Sequence, residues 1–343
     1  MSLSPKKPSA LVHAPDSVIE VRPYAPSNRD EWDNFVLQSN NGTIFHLQRF
    51  LSYHPSGRFE FHHLLFYDGN RLVAVLPAAI TENGYCLESP IGASYGGFVL
   101  PWELKYALNE RLVDALLDYA QKRGFKKILL THAPPIYQNR LCQDIDYALA
   151  FKGFDFDRHY ISHAIHLEPR DNFVSRFSAT ARRYIHQCER NPDLIVQHCD
   201  GKDGYDEFYP ILLENKARHN AKPTHALDEL HRLKELLPDA IHLFLVRYKG
   251  KAIGGSVTFL CNPRVALCFY NMLDYEFEKL RPIHFVMKHV VEWSIRIGCR
   301  YVDIGVSQNV QHENQMTPAY SLIEFKEKFA AKGVLRSTFR KFL

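Results

Sequence analysis

The chain has 343 residues, enough for about two domains of ordinary size or one fused pair. Hydrophobic residues make up 46% and aromatic residues 13%, ample for a core, while a net charge of +4 with neutral histidines excludes a nucleic-acid polycation. No apolar run approaches the roughly 20 residues of a membrane span. Met1 to Pro8 leads into no apolar signal segment, and seven cysteines without a C-x-x-C suit reduced, buried thiols, so the expectation is a cytoplasmic protein without a disulfide framework or zinc site.

Residues 1–17, rich in Pro, Ser and Lys, are expected to form a disordered leader, followed by a first unit over 18–168 and a second over 169–343. In the first, a helix around 30–36 and the Asn40-Asn41-Gly42 turn precede a strand-turn-strand pattern over 61–77. A glycine-rich loop at 88–97 follows, then a helix over 104–123 with Leu108, Leu112, Ala115, Leu116 and Tyr119 on one face, and a last strand over 161–167. The second unit opens with a helix from Asn172 as N-cap, burying Phe173, Phe177, Tyr184 and Cys188 and carrying Arg176, Arg183 and Arg190 along its flank until Pro192 stops it. Helices over 205–219 and from a Thr224 cap come next, the latter with Leu227, Leu230, Leu233 and Leu237 as its buried stripe. A second hairpin over 241–259, a strand over 266–270, a helix begun by Pro282, a strand to Ile304, a helix over 325–329 and a closing strand complete the unit.

The two halves repeat this order, each helix ending in a glycine before a β run. Counted from Gly124 and Gly298, the pairs Phe151-Lys152 and Phe325-Lys326 both begin 27 residues on. Hairpin, strand, helix, strand, helix, strand predicts an α+β fold of two related units, each a mixed sheet flanked by helices.

Gly92-Ala93-Ser94-Tyr95-Gly96 matches the G-x-S-x-G of serine hydrolases, whose nucleophile needs a strand-to-helix elbow. Here a β-like run closed by Pro101 follows and Pro90 interrupts the lead-in strand. The alternative is a glycine-rich loop in which Ser94, Tyr95 and Gly96 bring backbone amides to a ligand. Among the eighteen histidines no spacing converges on a metal; His163 and His166 point to opposite faces of a strand, and His225 is a polar group at a helix start. The arginines Arg176, Arg182 and Arg183 suit an anionic, phosphate-bearing ligand.

Arg182-Arg183-Tyr184-Ile185 through Val196 resembles the Arg-x-x-Ile-x-x-Ala-x-x-x-Gly-Val stretch of the Fem peptidoglycan aminoacyltransferases, and Phe325-Lys326-x-x-Phe329 resembles their C-terminal Phe-Lys-x-x-Phe element. The resemblance spans about residues 30–340. It implies two fused GNAT-like units that move an acyl or aminoacyl group onto the amine of a phosphate-bearing acceptor, such as a cell-envelope precursor. Arg182 or Arg183 would hold acceptor phosphates and Lys326 would sit by the donor carbonyl. No tightly bound cofactor is implied; the donor would be aminoacyl-tRNA or acyl-CoA. Two departures stand out: 273–282 lacks the glycines of an acetyl-CoA pyrophosphate loop, and the long helical hairpin of some Fem proteins has no counterpart.

Acyl transfer to an amine needs aligned substrates, a hydrogen-bond donor for the oxyanion and a route for the departing proton. Lys326, Tyr270 and backbone amides of a splayed sheet are the oxyanion candidates, and Asp303, expected at a strand end, is the group to position the amine or take its proton. A noncatalytic binding module that keeps the cleft, or a hydrolase using Ser94, are the alternative readings.

Overall fold

The computed structural model describes residues 18–168, 172–218, 220–309 and 312–343. The first half runs β1 (Ile19–Pro23), α1 (Arg29–Gln38), α2 (Gln48–Leu51), β2 (Glu60–Phe61), β3 (Leu64–Asp68), β4 (Arg71–Leu76), β5 (Ala79–Thr81), β6 (Cys86–Ser89), α3 (Tyr106–Lys122), β7 (Lys127–Thr131), α4 (Asp144–Phe151) and β8 (Asp155–His166). The second runs α5 (Ala179–Glu189), β9 (Leu194–Cys199), α6 (Lys202–Arg218), α7 (Leu227–Leu236), β10 (Ile241–Tyr248), β11 (Lys251–Asn262), β12 (Val265–Leu273), α8 (Pro282–Arg296), β13 (Tyr301–Val306), α9 (Tyr320–Glu327) and β14 (Lys332–Phe342). The fold is α+β, as expected, and no helix among the described residues is long and apolar enough to cross a membrane. The leader assigned to 1–17 lies outside the described residues.

Both hairpins form where alternation and turn glycines place them. Gly69 and Gly250 close them with φ of +60° and +84°, a region costly for any residue with a Cβ. Among the described residues the main sheet has eleven strands in the order β2-β5-β6-β7-β14-β8-β13-β12-β11-β10-β9, and β1, β3 and β4 form a separate three-stranded sheet. At the seam the halves interlock: β14, last in the chain, pairs with β7 of the first half, and β8 pairs with β13 of the second. One hydrophobic cluster, including Phe45, Tyr137, Phe208 and Phe259, joins the halves on one side of the sheet; another packs α5 and α8 on the second half.

Four helix starts differ from expectation; one is α9, which begins at Tyr320, five residues before the helix read over 325–329. The helix read from Asn172 is two pieces: a 3-10 turn over Phe173–Arg176, then α5, with Phe177 and Ser178 extended between them. Ser178 is the real cap, its hydroxyl accepting from the Ala181 amide at 3.1 Å, so Arg176 is out of register with Arg183 and Arg190. Thr224 does not cap α7, which begins at Leu227 with Glu229 accepting from the Ala226 amide. Finally, α6 starts at Lys202, earlier than 205, and ends at Arg218.

Candidate active site

The candidate site is a fork in the main sheet. β12 and β13 run parallel but pair only from Val265 opposite Tyr301 to Leu267 opposite Asp303, and then separate. Each carries one extra residue at the point of divergence. On β12 the register against β11 shifts at Phe269; on β13 it shifts against β8 between Asp303 and Val306. Such bulges bend a strand and leave backbone groups unpaired. The second bulge depends on Gly305, whose φ is +78° and whose amide donates to the Asp303 carboxylate at 2.7 Å. Farther along, Asn215 of α6 meets the backbone of Leu273 through both its amide atoms, which closes the outer end of the open β12 edge.

Asp303 sits in mid-strand, fully buried, rather than at the strand end. Its carboxylate accepts from Ser162 Oγ at 2.5 Å and the Gly305 amide on one oxygen. The other oxygen accepts from the hydroxyls of Tyr137 at 2.8 Å and Tyr95 at 3.2 Å. Burial first, and the Asp303 charge second, push both phenols well above their ordinary value, so they remain donors. Four donors fill the acceptor sites of one carboxylate. Asp303 therefore ties Tyr95 and Tyr137 of the first half to β8 and β13.

Lys326, on α9, is also buried, and its Nζ donates to Gly305 O and Val306 O at 2.7 Å and to Ser307 Oγ at 2.9 Å. An ammonium has three protons, and all three are placed. Burial pulls its pKa down to about 8, with Asp303 opposing. Lys326 and Asp303 meet through Gly305. Tyr270 does not join them: its hydroxyl faces the loop before α7, accepting from the Thr224 and His225 amides and lying 3.0 Å from His225 Nδ1. His225 is buried among Tyr53, Phe259 and Phe269, and burial takes its pKa down to about 3, so the Tyr270 hydroxyl donates to a neutral ring.

The glycine-rich loop is held by its carbonyls. His54 binds Gly92 O at 2.8 Å, Arg336 of β14 donates to Ser94 O at 2.6 Å, and His46 binds Gly96 O at 3.2 Å. The amides of Gly96 and Gly97 are spent on Thr131 O and Ser89 Oγ. No helix follows Ser94 before Tyr106, so no nucleophile elbow forms. What the loop delivers to the seam is Tyr95. A concavity of about 370 Å³ lined by Gln48, His54, Phe59, Phe61 and His63 lies beside Gly92 in the first half, away from the groups of the fork.

The three arginines divide. Arg176 donates to His166 O and Arg182 to Ser175 O and Phe177 O, so both brace the backbone around the break before α5. Arg183 is exposed and stands with Arg281 near the Tyr184 ring, their guanidinium carbons 5.2 and 4.6 Å from its centroid. Arg281 is the N-cap of α8, so this corner combines two guanidiniums with the positive end of a helix. Among the described residues no cluster of His, Cys, Asp or Glu is arranged to hold a metal. Sequence reading missed Tyr137, Ser162, Asn215 and Ser307, none of which stands in a motif, and Lys216, a half-buried amine 5.6 Å from the Tyr270 ring centroid.

The family described as acetyltransferase (GNAT) domain matches residues 175–314. No curated protein sequence matches the chain. Among solved structures, FemX is similar at a TM-score of 0.71 and 13% identity, covering 94% of this chain and 97% of its own. L-PGS from Bacillus licheniformis is similar at 0.60 and 10% identity, with 92% and 91% covered. A tandem GNAT protein from the clavulanic acid biosynthesis pathway is similar at 0.54 and 11%, with 94% and 98% covered. The chain is thus built as two fused GNAT-like units, with a GNAT domain match in the second.

Proposed function

We propose that this protein is an N-acyl or aminoacyl transferase whose reacting centre is the fork between β12 and β13. The observation that carries this reading is the fork itself: two bulged strands part beside a buried lysine, leaving the β12 edge from Cys268 to Met272 without a strand partner on that side among the described residues. An extended acyl donor can supply that missing partner, and an unpaired backbone amide is an oxyanion donor already in place. The acceptor amine then attacks the donor carbonyl, a nitrogen–carbon bond forms, and the alcohol or thiol of the donor leaves. Lys326 contributes positive charge beside this centre while holding the Gly305 and Val306 carbonyls turned toward itself. Arg183 and Arg281 at the start of α8 are the anion-binding corner, suited to a phosphate on the acceptor or on the donor. With no glycine loop before α8, aminoacyl-tRNA stands beside acyl-CoA as donor, and a cell-envelope precursor is the acceptor class that fits a phosphate-bearing amine.

One observation favours a second reading, a binding module without turnover: both Asp303 and Lys326 have their hydrogen-bonding capacity filled internally. A screen of labelled acyl-CoA and aminoacyl-tRNA donors against amines with and without phosphate separates the two. Transfer by the wild type that falls about a hundredfold or more in Lys326→Met supports the transferase. Ligand binding without product from any donor supports the module.

A further inference from the structure

Lys326 does not end its hydrogen bonding at Ser307. The Ser307 hydroxyl also lies 2.8 Å from Nδ1 of His163 on β8, so amine, hydroxyl and imidazole form one buried chain. Both His163 and Ser307 are buried, and among the described residues His163 Nε2 has no hydrogen-bond partner. Proton positions along the chain follow from counting donors. While Lys326 is an ammonium, its three protons occupy Gly305 O, Val306 O and Ser307 Oγ. The proton of Ser307 must then point to His163 Nδ1, and His163 carries its own proton on Nε2. When Lys326 is a neutral amine it keeps two protons, and the two carbonyls, which can only accept, hold both. Its lone pair faces Ser307, whose proton turns to it, and Ser307 Oγ must now accept from a proton on His163 Nδ1.

We propose that Ser307 and His163 are positioning residues that carry the proton of Lys326 out of the fork. The transfer balances. An Nζ–H bond breaks as an O–H bond forms on Ser307; the original Ser307 O–H bond breaks as Nδ1–H forms on His163; and the Nε2–H bond of His163 breaks, releasing one proton to water. Lys326 ends neutral, Ser307 is unchanged, and His163 has exchanged one neutral tautomer for the other. The surrounding charges suit this. His163 feels Lys326, Glu327, Asp303 and Lys332, and burial, with Lys326 next, keeps its ring below its ordinary pKa, so it stays neutral where Lys326 titrates. Lys326 feels Asp303 and Cys268. As part of catalysis the relay rests on the transferase reading, but its chemistry is present in the protein without substrate.

The test is a pH titration of the full-length protein by NMR, with nitrogen-15 in the histidine rings and carbon-13 at the lysine Cε. The expected result is one shared midpoint: as Lys326 loses its proton, His163 Nδ1 moves from the bare to the protonated range and Nε2 moves the opposite way. In Ser307→Ala, Lys326 should still titrate while the His163 nitrogens no longer follow it. In Lys326→Met the His163 transition should vanish, which decides the matter even if Ser307→Ala fails to fold. A His163 tautomer that stays fixed while Lys326 titrates, or one that switches equally in Lys326→Met, overturns the relay. Neither outcome bears on whether the protein transfers acyl groups, which the donor screen measures separately.

Discussion

Replacing Asp303 separates a structural carboxylate from a catalytic one. In Asp303→Ala the hydroxyls of Tyr95, Tyr137 and Ser162 and the Gly305 amide lose their common acceptor inside a fully buried site. A hydrogen bond to a charged group contributes about 1.5–3 kcal/mol. The three hydroxyls can rotate toward one another or toward water, but the Gly305 amide cannot, so a total loss of about 3–5 kcal/mol is expected, the range for breaking a buried charged network. Asp303→Asn should behave differently. The amide oxygen can keep Ser162 and Gly305, and the amide nitrogen can donate to Tyr137 and Tyr95, whose hydroxyls turn to accept. Only the charge assistance goes, at a cost of about 1–2 kcal/mol. Urea or guanidinium unfolding measures both variants, with an unchanged slope confirming that only stability has moved. If transfer activity is found, Asp303→Asn should retain it within about tenfold, because a carboxylate with four donors has no free lone pair for an incoming proton. A stable Asp303→Asn variant that has lost turnover would refute this and return Asp303 to the role of base.

Stability should rise with pH between about 8 and the ordinary lysine value near 10.5 through Lys326, because over that window the unfolded chain binds the proton more tightly than the folded one. The gain, at most roughly 3 kcal/mol, should be missing from Lys326→Met in paired denaturation curves, which cancel the tyrosine and cysteine titrations common to both. Gly97→Ala should cost roughly 2–5 kcal/mol, since φ is +76° and a Cβ would lie 1.7 Å from His132 Cδ2; Gly305→Ala, with a similar φ and open space around it, should cost only about 1–2 kcal/mol. Arg182→Ala should lower stability by about 1 kcal/mol through its lost bonds to Ser175 O and Phe177 O and leave ligand affinity alone, whereas Arg183→Ala should leave stability alone and weaken a phosphate-bearing ligand about tenfold in low-salt titration calorimetry. Ser94→Ala should change neither transfer nor folding, and any esterase activity that disappears with it would reopen the hydrolase reading.

The sequence made the hairpins and the helix-glycine-strand repeats legible because those signals are local. Alternating apolar residues and a turn glycine are enough to close a hairpin, and Leu112 and Leu116, four apart, are enough to bury one face of α3. The helix at 172 shows where local reading misleads. Phe173, Phe177 and Tyr184 keep helical spacing across a break that only the Ser178 cap betrays, since a hydroxyl able to bond its own third neighbour competes with continuing the helix. The chemistry of the fork lay further out of reach. Tyr95 and Tyr137 stand 208 and 166 residues from Asp303, and the exchange of β8 and β14 that brings them to it leaves no periodic trace.

That exchange explains why Asp303, the most buried carboxylate among the described residues, lies at the seam and not inside either half. Each half alone would leave Asp303, Ser162, Tyr95 and Tyr137 facing solvent or one another without a complete set of partners, and an incomplete buried network costs more than an apolar one. With both strands traded, the carboxylate of the second half is satisfied by hydroxyls of the first, and the Gly305 bulge that opens the fork is held by that same carboxylate. The geometry of the proposed reacting centre therefore depends on the docking of the two units, and a change in the first half, Tyr137→Phe, should loosen Gly305 in the second. Slowed or accelerated hydrogen exchange at the Gly305 amide reads this directly: protection that falls in Tyr137→Phe supports the coupling, and protection equal to wild type would show that the two units hold the fork independently.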